Sequence, residues 1–305
     1  MLSFEKITLK DRDVLRQYLY QYGENSCQHS FVSMFCMTGK YGDMFCQQDG
    51  YLFILRGNKR TPGFRNYLFP MGDTTDKSAL KNAISLILED AKSHGQKARF
   101  ETVTRKAAEE IQRLFPERFH CVNIRDYAEY LYTHEKLADL PGSEMASKRH
   151  DINTFFRDYG DKTVIEKICP DHIEKIRTFQ KNWLSDMLRG EEDVQLELEN
   201  EAIQIGLDHF EELGLSGIVV FVDGEIAGFA YGTPISRDCY NVIIEKGDRR
   251  VPDIYRVLNR DLVRMCCDGY AYINREEDVG VAGLRKAKMS YKPDILLEKF
   301  IVTEI

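Results

Sequence analysis

Two Asp-Gly steps, Asp49-Gly50 and Asp223-Gly224, constrain this 305-residue chain more than any other feature. Each lies between short runs of apolar or β-branched residues: Met44-Phe45-Cys46 and Tyr51 to Leu55 flank the first, Ile218 to Val222 and Ile226 to Ala230 the second. Asp-Gly supplies the positive φ angles of a tight turn, so both sites predict β-hairpins. Beyond the first hairpin the pattern predicts a strand at Tyr67-Leu68-Phe69 and a helix with Leu80, Ala83, Ile84, Ile87, Leu88 and Ala91 on one face. A strand at Arg99 to Val103 and a helix from about Thr104 to Leu114 follow. Beyond the second hairpin come a strand at Tyr240 to Glu245, a helix bearing Ile254, Val257, Leu258, Leu262 and Met265, a strand at Tyr270 to Asn274, and a short helix around Val281 to Lys288. The turns stand 223 − 49 = 174 residues apart, and Arg99 shifted by the same 174 falls on Ile273. One order of elements repeated at one offset predicts two copies of a single α+β unit.

Between the copies, Arg125 to Tyr132 alternates like a strand, Leu140-Pro141-Gly142 reads as a turn, and a helix from about Ser143 should stop at Gly160. A strand at Thr163 to Ile168 precedes a helix that opens at Pro170-Asp171 and carries Ile173, Ile176, Phe179 and Trp183 on one face. The acidic stretch Glu191-Glu192-Asp193 reads as a solvated helix start. The domain boundary is accordingly expected near residue 135, giving units 1–135 and 136–305.

Composition removes several classes of function. With 42 Lys and Arg against 49 Asp and Glu, the net charge of −7 argues against a non-specific nucleic-acid binder, and no DNA partner is expected. No apolar run approaches the roughly 20 residues of a membrane span, and Glu5 falls where a signal peptide carries its apolar core. A cytoplasmic protein is expected, with peripheral membrane contact left open. The eight cysteines form no CxxC pair and are expected to be free thiols; Cys266 and Cys267 fall on a predicted helix, where neighbours point about 100° apart. The seven histidines show no ligand spacing, and no metal is expected. The glycine-rich nucleotide loops, HExxH and GxSxG are all missing.

One segment stands apart. A strand that should be buried ends in Asn274-Arg275-Glu276-Glu277-Asp278, and the helix that follows places Arg285 and Lys288 three apart on one face. Strand ends in open α/β sheets are where ligands bind. A charged, solvated loop with capping acids is the alternative reading.

The stretches Leu137 to Gly142, Lys148 to Phe155, Glu245-Lys246, Tyr255 with Asn259, and above all Asn274 to Pro293 resemble the phosphatidylglycerol lysyltransferase catalytic domain and its soluble relatives. The resemblance covers nearly the whole chain and is strongest from about Tyr130 onward. It implies two tandem GNAT-like (Gcn5-related N-acetyltransferase) domains, each a mixed, mostly antiparallel sheet flanked by helices, with a structural first copy and the active site in the second. The implied activity is acyl transfer from an aminoacyl-tRNA ester or an acyl-CoA thioester to an amine or hydroxyl on a small molecule, peptide or lipid. No tightly bound cofactor is implied.

Such a reaction proceeds by direct attack on an activated carbonyl, so the site must orient two substrates, take a proton and stabilise an oxyanion. The resemblance points to Glu276, Lys288 and Glu245 as catalytic residues, and to Arg285, Lys246, Asn259, Asn274, Arg275, Asp278 and Tyr291 as substrate contacts. One departure bears on the donor. The stretch Arg249 to Ile254 lacks the glycines with which acetyl-CoA enzymes of this fold hold the pyrophosphate. A module of the same fold that binds a small ligand or partner without catalysis is therefore the competing expectation.

Overall fold

The computed structural model describes residues 2–188 and 192–305. Of the acidic stretch, Glu191 lies outside the described residues; Asp193 caps the helix Val194–Asp208 by accepting from the Gln195 and Leu196 amides. The Asp-Gly steps at 49–50 and 223–224 turn hairpins. Asp49 and Gly50 sit at φ 52° and 79°, Asp223 and Gly224 at 53° and 82°, the pair of positive angles that a two-residue hairpin requires.

The strands are β1 (Glu5–Lys6), β2 (Asp43–Gln48), β3 (Tyr51–Arg56), β4 (Phe64–Tyr67), β5 (Lys97–Thr104), β6 (Phe119–Asn123) and β7 (Glu129–Thr133). They continue as β8 (Thr163–Lys167), β9 (Ser216–Val222), β10 (Glu225–Pro234), β11 (Cys239–Gly247), β12 (Tyr272–Glu277), β13 (Ile295–Leu297) and β14 (Lys299–Glu304). Two seven-stranded sheets result, ordered β1-β2-β3-β4-β5-β14-β6 and β8-β9-β10-β11-β12-β7-β13. The orders match strand for strand, which is the expected duplication expressed as topology. In each sheet an antiparallel run leads to one parallel pair, β4 with β5 and β11 with β12. The crossovers are the helices Lys77–Ser93 and Ile254–Cys266, since parallel neighbours need such a connection.

Apolar periodicity explains why these helices pack where they do. Leu80, Ala83, Ile84, Ile87, Leu88 and Ala91 are all buried in the first core with Phe53 and Phe100. In the second core, Ile254, Val257, Leu258 and Leu262 play the same part against Ile218, Val220 and Ala230. Among the described residues no helix is long and apolar enough to cross a membrane.

The chain divides into two units, but not by one cut after residue 135. One unit comprises Met1–Glu129, Glu277–Arg285 and Leu296–Ile305; the other comprises Tyr130–Glu276 and Lys286–Ile295. The reason is an exchange of strands. β7 follows the first copy yet lies in the second sheet, and β14, at the end of the second copy, fills the matching slot between β5 and β6.

In the first unit β14 brings Lys299 into a buried polar knot. Its ammonium lies 2.7 Å from Glu129, both side chains being fully buried. Glu129 also accepts from the Ser26 hydroxyl at 2.9 Å and the Cys27 amide at 2.8 Å. Cys27, Glu129 and Glu277 bring their donor atoms within 4.8 Å of one another, a spacing suited to a cation, but Lys299 already neutralises the buried carboxylate.

His29 stands beside this knot and contacts the Gly23 carbonyl through Nδ1 at 2.8 Å. Burial, aided by the Lys299 charge, lowers its pKa from 6.5 to about 4. Above pH 6.5 the imidazole is neutral folded or unfolded; as the pH falls from 6.5 toward 4 the unfolded chain takes up a proton that the folded one refuses, and the fold loses stability. The shift corresponds to about 3 kcal/mol. We expect His29→Asn to flatten the decline of the urea midpoint between pH 6.5 and 4; an unchanged decline would remove His29 as its source.

Candidate functional site

The polar residues of the second unit gather where β11 and β12 part. Their parallel ladder holds from Cys239–Tyr272 to Asn241–Asn274, after which β11 runs on to Gly247 and β12 to Glu277. The strand thus continues through Arg275, Glu276 and Glu277, where a loop was expected. Asn241 and Asn274, the last paired residues, are fully buried. Buried amides in a central ladder are costly unless their groups are used.

Both amides converge on Glu276. The Asn274 side-chain oxygen accepts from the Glu276 backbone N–H at 2.7 Å, and the Asn241 amide donates to Glu276 Oε1 at 2.8 Å. Glu276 has φ +58°, a left-handed conformation that a non-glycine residue seldom adopts without cause. The Asn241 side-chain oxygen, Oδ1, is buried and meets no hydrogen-bond partner among the described residues. On the other side of Asn241, the Cβ of any larger residue at Gly232 would lie 1.9 Å from its backbone oxygen. Only glycine lets β10 pass so close.

The first copy keeps the strain but not the chemistry. Glu276 shifted back by 174 is residue 276 − 174 = 102, and Thr102 on β5 likewise has φ +51°. Its buried hydroxyl stands where the second copy offers a carboxylate.

A second cluster surrounds Arg275. Its guanidinium lies 2.6 Å from Glu245, and the Asn259 amide, oriented by this network, turns its oxygen to Arg275 Nε at 2.9 Å. Burial disfavours the Arg275 charge, yet Glu245, with Tyr132 and Tyr291 nearby, raises its pKa above the ordinary value. The Tyr291 ring lies 5.2 Å from this guanidinium and 4.8 Å from the Lys148 ammonium. Burial, with Arg256 close by, holds Lys148 below the usual lysine value against the pull of Asp151. Tyr132 meets Tyr291 edge to face and donates its hydroxyl to the Lys288 carbonyl at 2.7 Å. Lys288 itself is buried, its ammonium 5.8 Å from the Tyr130 ring centre.

The remaining sequence candidates go elsewhere. Lys246, next to Glu245 on one strand, takes the opposite face, pairs with Glu199 at 2.6 Å and lies 4.1 Å from the Trp183 ring centre. Asp278 and Arg285 belong to the first unit and brace their own loop. The buried Asp278 carboxylate accepts two bonds from Arg285, at 2.7 and 2.9 Å, and one from the Gly280 amide. Sequence reasoning passed over Asn241, Tyr132 and Lys148. Asn241 alone left a signal, as a polar residue inside the run Tyr240 to Ile244.

At the start of the helix Ile254–Cys266, Asp253 is left-handed at φ +60° and makes no capping bond, while Asp248 turns back to the Arg250 amide at 2.9 Å. Both carboxylates are matched by arginines, Asp248 by Arg250 at 2.8 Å and Asp253 by Arg256 at 3.3 Å.

The family described as phosphatidylglycerol lysyltransferase, C-terminal, matches residues 20–303. A conserved protein of unknown function from Bacteroides thetaiotaomicron superimposes with a TM-score of 0.93 at 30% identity, each chain covered in full. The L-PGS of Bacillus licheniformis gives 0.65 at 15% identity over 96% of this chain and 92% of its own. A tandem GNAT protein from the clavulanic acid biosynthesis pathway gives 0.51 at 10% identity over 99% and 98%, a likeness of fold. An uncharacterised protein of Mycoplasmoides gallisepticum is 22% identical over 176 residues, 58% of this chain and 56% of its own length. The chain spans about half of that curated relative. The match over residues 20–303 places the chain in the phosphatidylglycerol lysyltransferase C-terminal family, and its two matching sheets have the tandem GNAT fold.

Proposed function

We propose that the second unit transfers an acyl or aminoacyl group from an activated ester to an amine or hydroxyl acceptor by direct attack at the parting of β11 and β12. The observation that carries this reading is Glu276, a carboxylate held in a left-handed conformation at a strand end by two buried asparagines. Thr102 shares the conformation, so what sets the second copy apart is the carboxylate it carries there and the two asparagines that hold it. Glu276 takes the proton of the incoming nucleophile. Glu245, paired with Arg275 at 2.6 Å, serves to position that guanidinium. Lys288, with Lys148, supplies positive charge that offsets the oxyanion and the phosphate of the donor.

An aminoacyl ester suits the geometry better than a CoA thioester. The glycine loop whose amides would hold a pyrophosphate is replaced by Arg249 to Ile254, in which Pro252 offers no amide hydrogen. Purified protein should therefore deacylate charged tRNAs in the presence of candidate amines and release no thiol from acyl-CoAs. tRNA-dependent turnover should fall steeply with salt, because phosphate contacts release counterions. Thiol release alone would reverse the choice of donor, and no turnover with either would leave a ligand-binding module.

A further inference from the structure

The β3–β4 connection of the first unit holds a group of cations that the transfer reaction does not use. Arg56, Lys59, Arg60 and Arg65 line a cavity of about 450 Å³ where β3 ends and β4 and β5 begin. Leu55 and Phe64 supply an apolar part of its lining. Because β4 and β5 are parallel, this is the end of the pair opposite to their parting, the counterpart of the Glu276 position. The volume falls in the range of small-molecule sites.

Charge within the cavity is unbalanced. Arg65 pairs with the buried Asp90 at 2.8 Å, and Arg56 lies 3.9 Å from Asp43. Among the described residues Lys59 and Arg60 meet no carboxylate within ion-pair range. Four cations against two acids leave 4 − 2 = 2 positive charges, in a chain whose net charge is −7.

The loop carrying them is held in place before any ligand arrives. Asn66, nearly buried on β4, donates from its amide to the Lys59 carbonyl at 2.8 Å and accepts from the Thr61 hydroxyl at 3.3 Å. Asn58 donates to the Thr38 and Gly39 carbonyls at 3.1 Å each, and the Lys97 amide closes on the Gly63 carbonyl at 2.9 Å. Ordering of the cationic turn is thus complete on folding, which lowers the entropic cost of binding.

We infer that this cavity binds the phosphate of a small organic phosphomonoester, with Lys59 and Arg60 on the phosphoryl oxygens and the carbon portion against Leu55 and Phe64. Two unpaired cations match a phosphomonoester, which carries close to two negative charges at neutral pH, better than a singly charged carboxylate. Guanidinium groups also suit its oxygens.

Calorimetric titration of the full chain with phenyl phosphate tests the assignment, with benzoate as a singly charged analogue of similar shape. Phenyl phosphate should bind in a salt-sensitive manner and at least about tenfold more tightly than benzoate. The double variant Lys59→Ala, Arg60→Ala should lose about tenfold or more in affinity while keeping the wild-type melting temperature, because both side chains are exposed. Equal binding by variant and wild type, equal binding of the two ligands, or no measurable binding of phenyl phosphate would overturn the proposal. Binding confined to phosphatidylglycerol vesicles or to an RNA oligomer would do the same. The donor assay plays no part in this test, so either reading can fail without the other.

Discussion

Lys299→Met should lower the stability of the protein by about 3–5 kcal/mol, among the largest effects any single substitution in this chain would produce. Lys299 and Glu129 are both fully buried and 2.7 Å apart. Removing the ammonium leaves a carboxylate in the interior without the cation that neutralises it, although the Ser26 hydroxyl and Cys27 amide still donate to it. The cost is that of the uncompensated charge, so it should fall when the charge is also removed. Lys299→Met with Glu129→Gln should recover a substantial part of the loss. Thermal unfolding would read the single variant as a drop on the order of 10 °C. A second readout is independent of stability: the Lys299 charge helps to lower His29, so the variant should shift the His29 titration upward from about 4. A single variant within about 1 kcal/mol of wild type would mean that the knot does not hold β14 in place.

That knot also marks where sequence reasoning ended. Hairpins and helices were legible because their signals are local. Asp-Gly fixes turn geometry within two residues, and the Leu80 to Ala91 stripe fixes which face of its helix is buried. The exchange of β7 and β14 leaves no local trace. Lys299–Glu304 reads as the same strand whichever sheet it joins, and only pairing across the sheet, Thr303 with Arg99 and His120, decides the matter. A single cut near residue 135 followed from assuming that a strand stays with its own copy.

The site was legible in part, for similar reasons. The segment after Asn274 forms the strand end where polar groups gather, and Glu245, Arg275, Asn259 and Tyr291 come together there. The left-handed Glu276 could not be read, because nothing in a non-glycine residue announces positive φ and its support, Asn241, lies 35 residues away. For Lys246 the signal was present: neighbours on a strand face opposite ways, so Glu245 and Lys246 could not share one site. Helical spacing brought Arg285 and Lys288 to one helix face, but Asp278 takes the Arg285 guanidinium for the loop.

Glu276→Gln should cut kcat by on the order of 10² or more while leaving the fold intact. Glutamine has the same shape, and its side-chain oxygen can still accept the Asn241 amide that now meets Glu276 at 2.8 Å. What it cannot do is take a proton from the attacking amine or hydroxyl. The melting temperature should therefore hold, and KM should change little if Glu276 acts mainly in the transition state. Glu245→Gln supplies the contrast. It removes the partner of the buried Arg275 guanidinium, so its main effect should be on stability and on donor KM, with a smaller loss in kcat. The pH profile separates the two further. Wild-type kcat should fall on the acid side as the base is protonated, and this limb should vanish from the residual rate of Glu276→Gln but persist in Glu245→Gln. Turnover by Glu276→Gln within about threefold of wild type, with the acid limb unchanged, would remove Glu276 from the chemistry and leave its left-handed conformation without a catalytic reason.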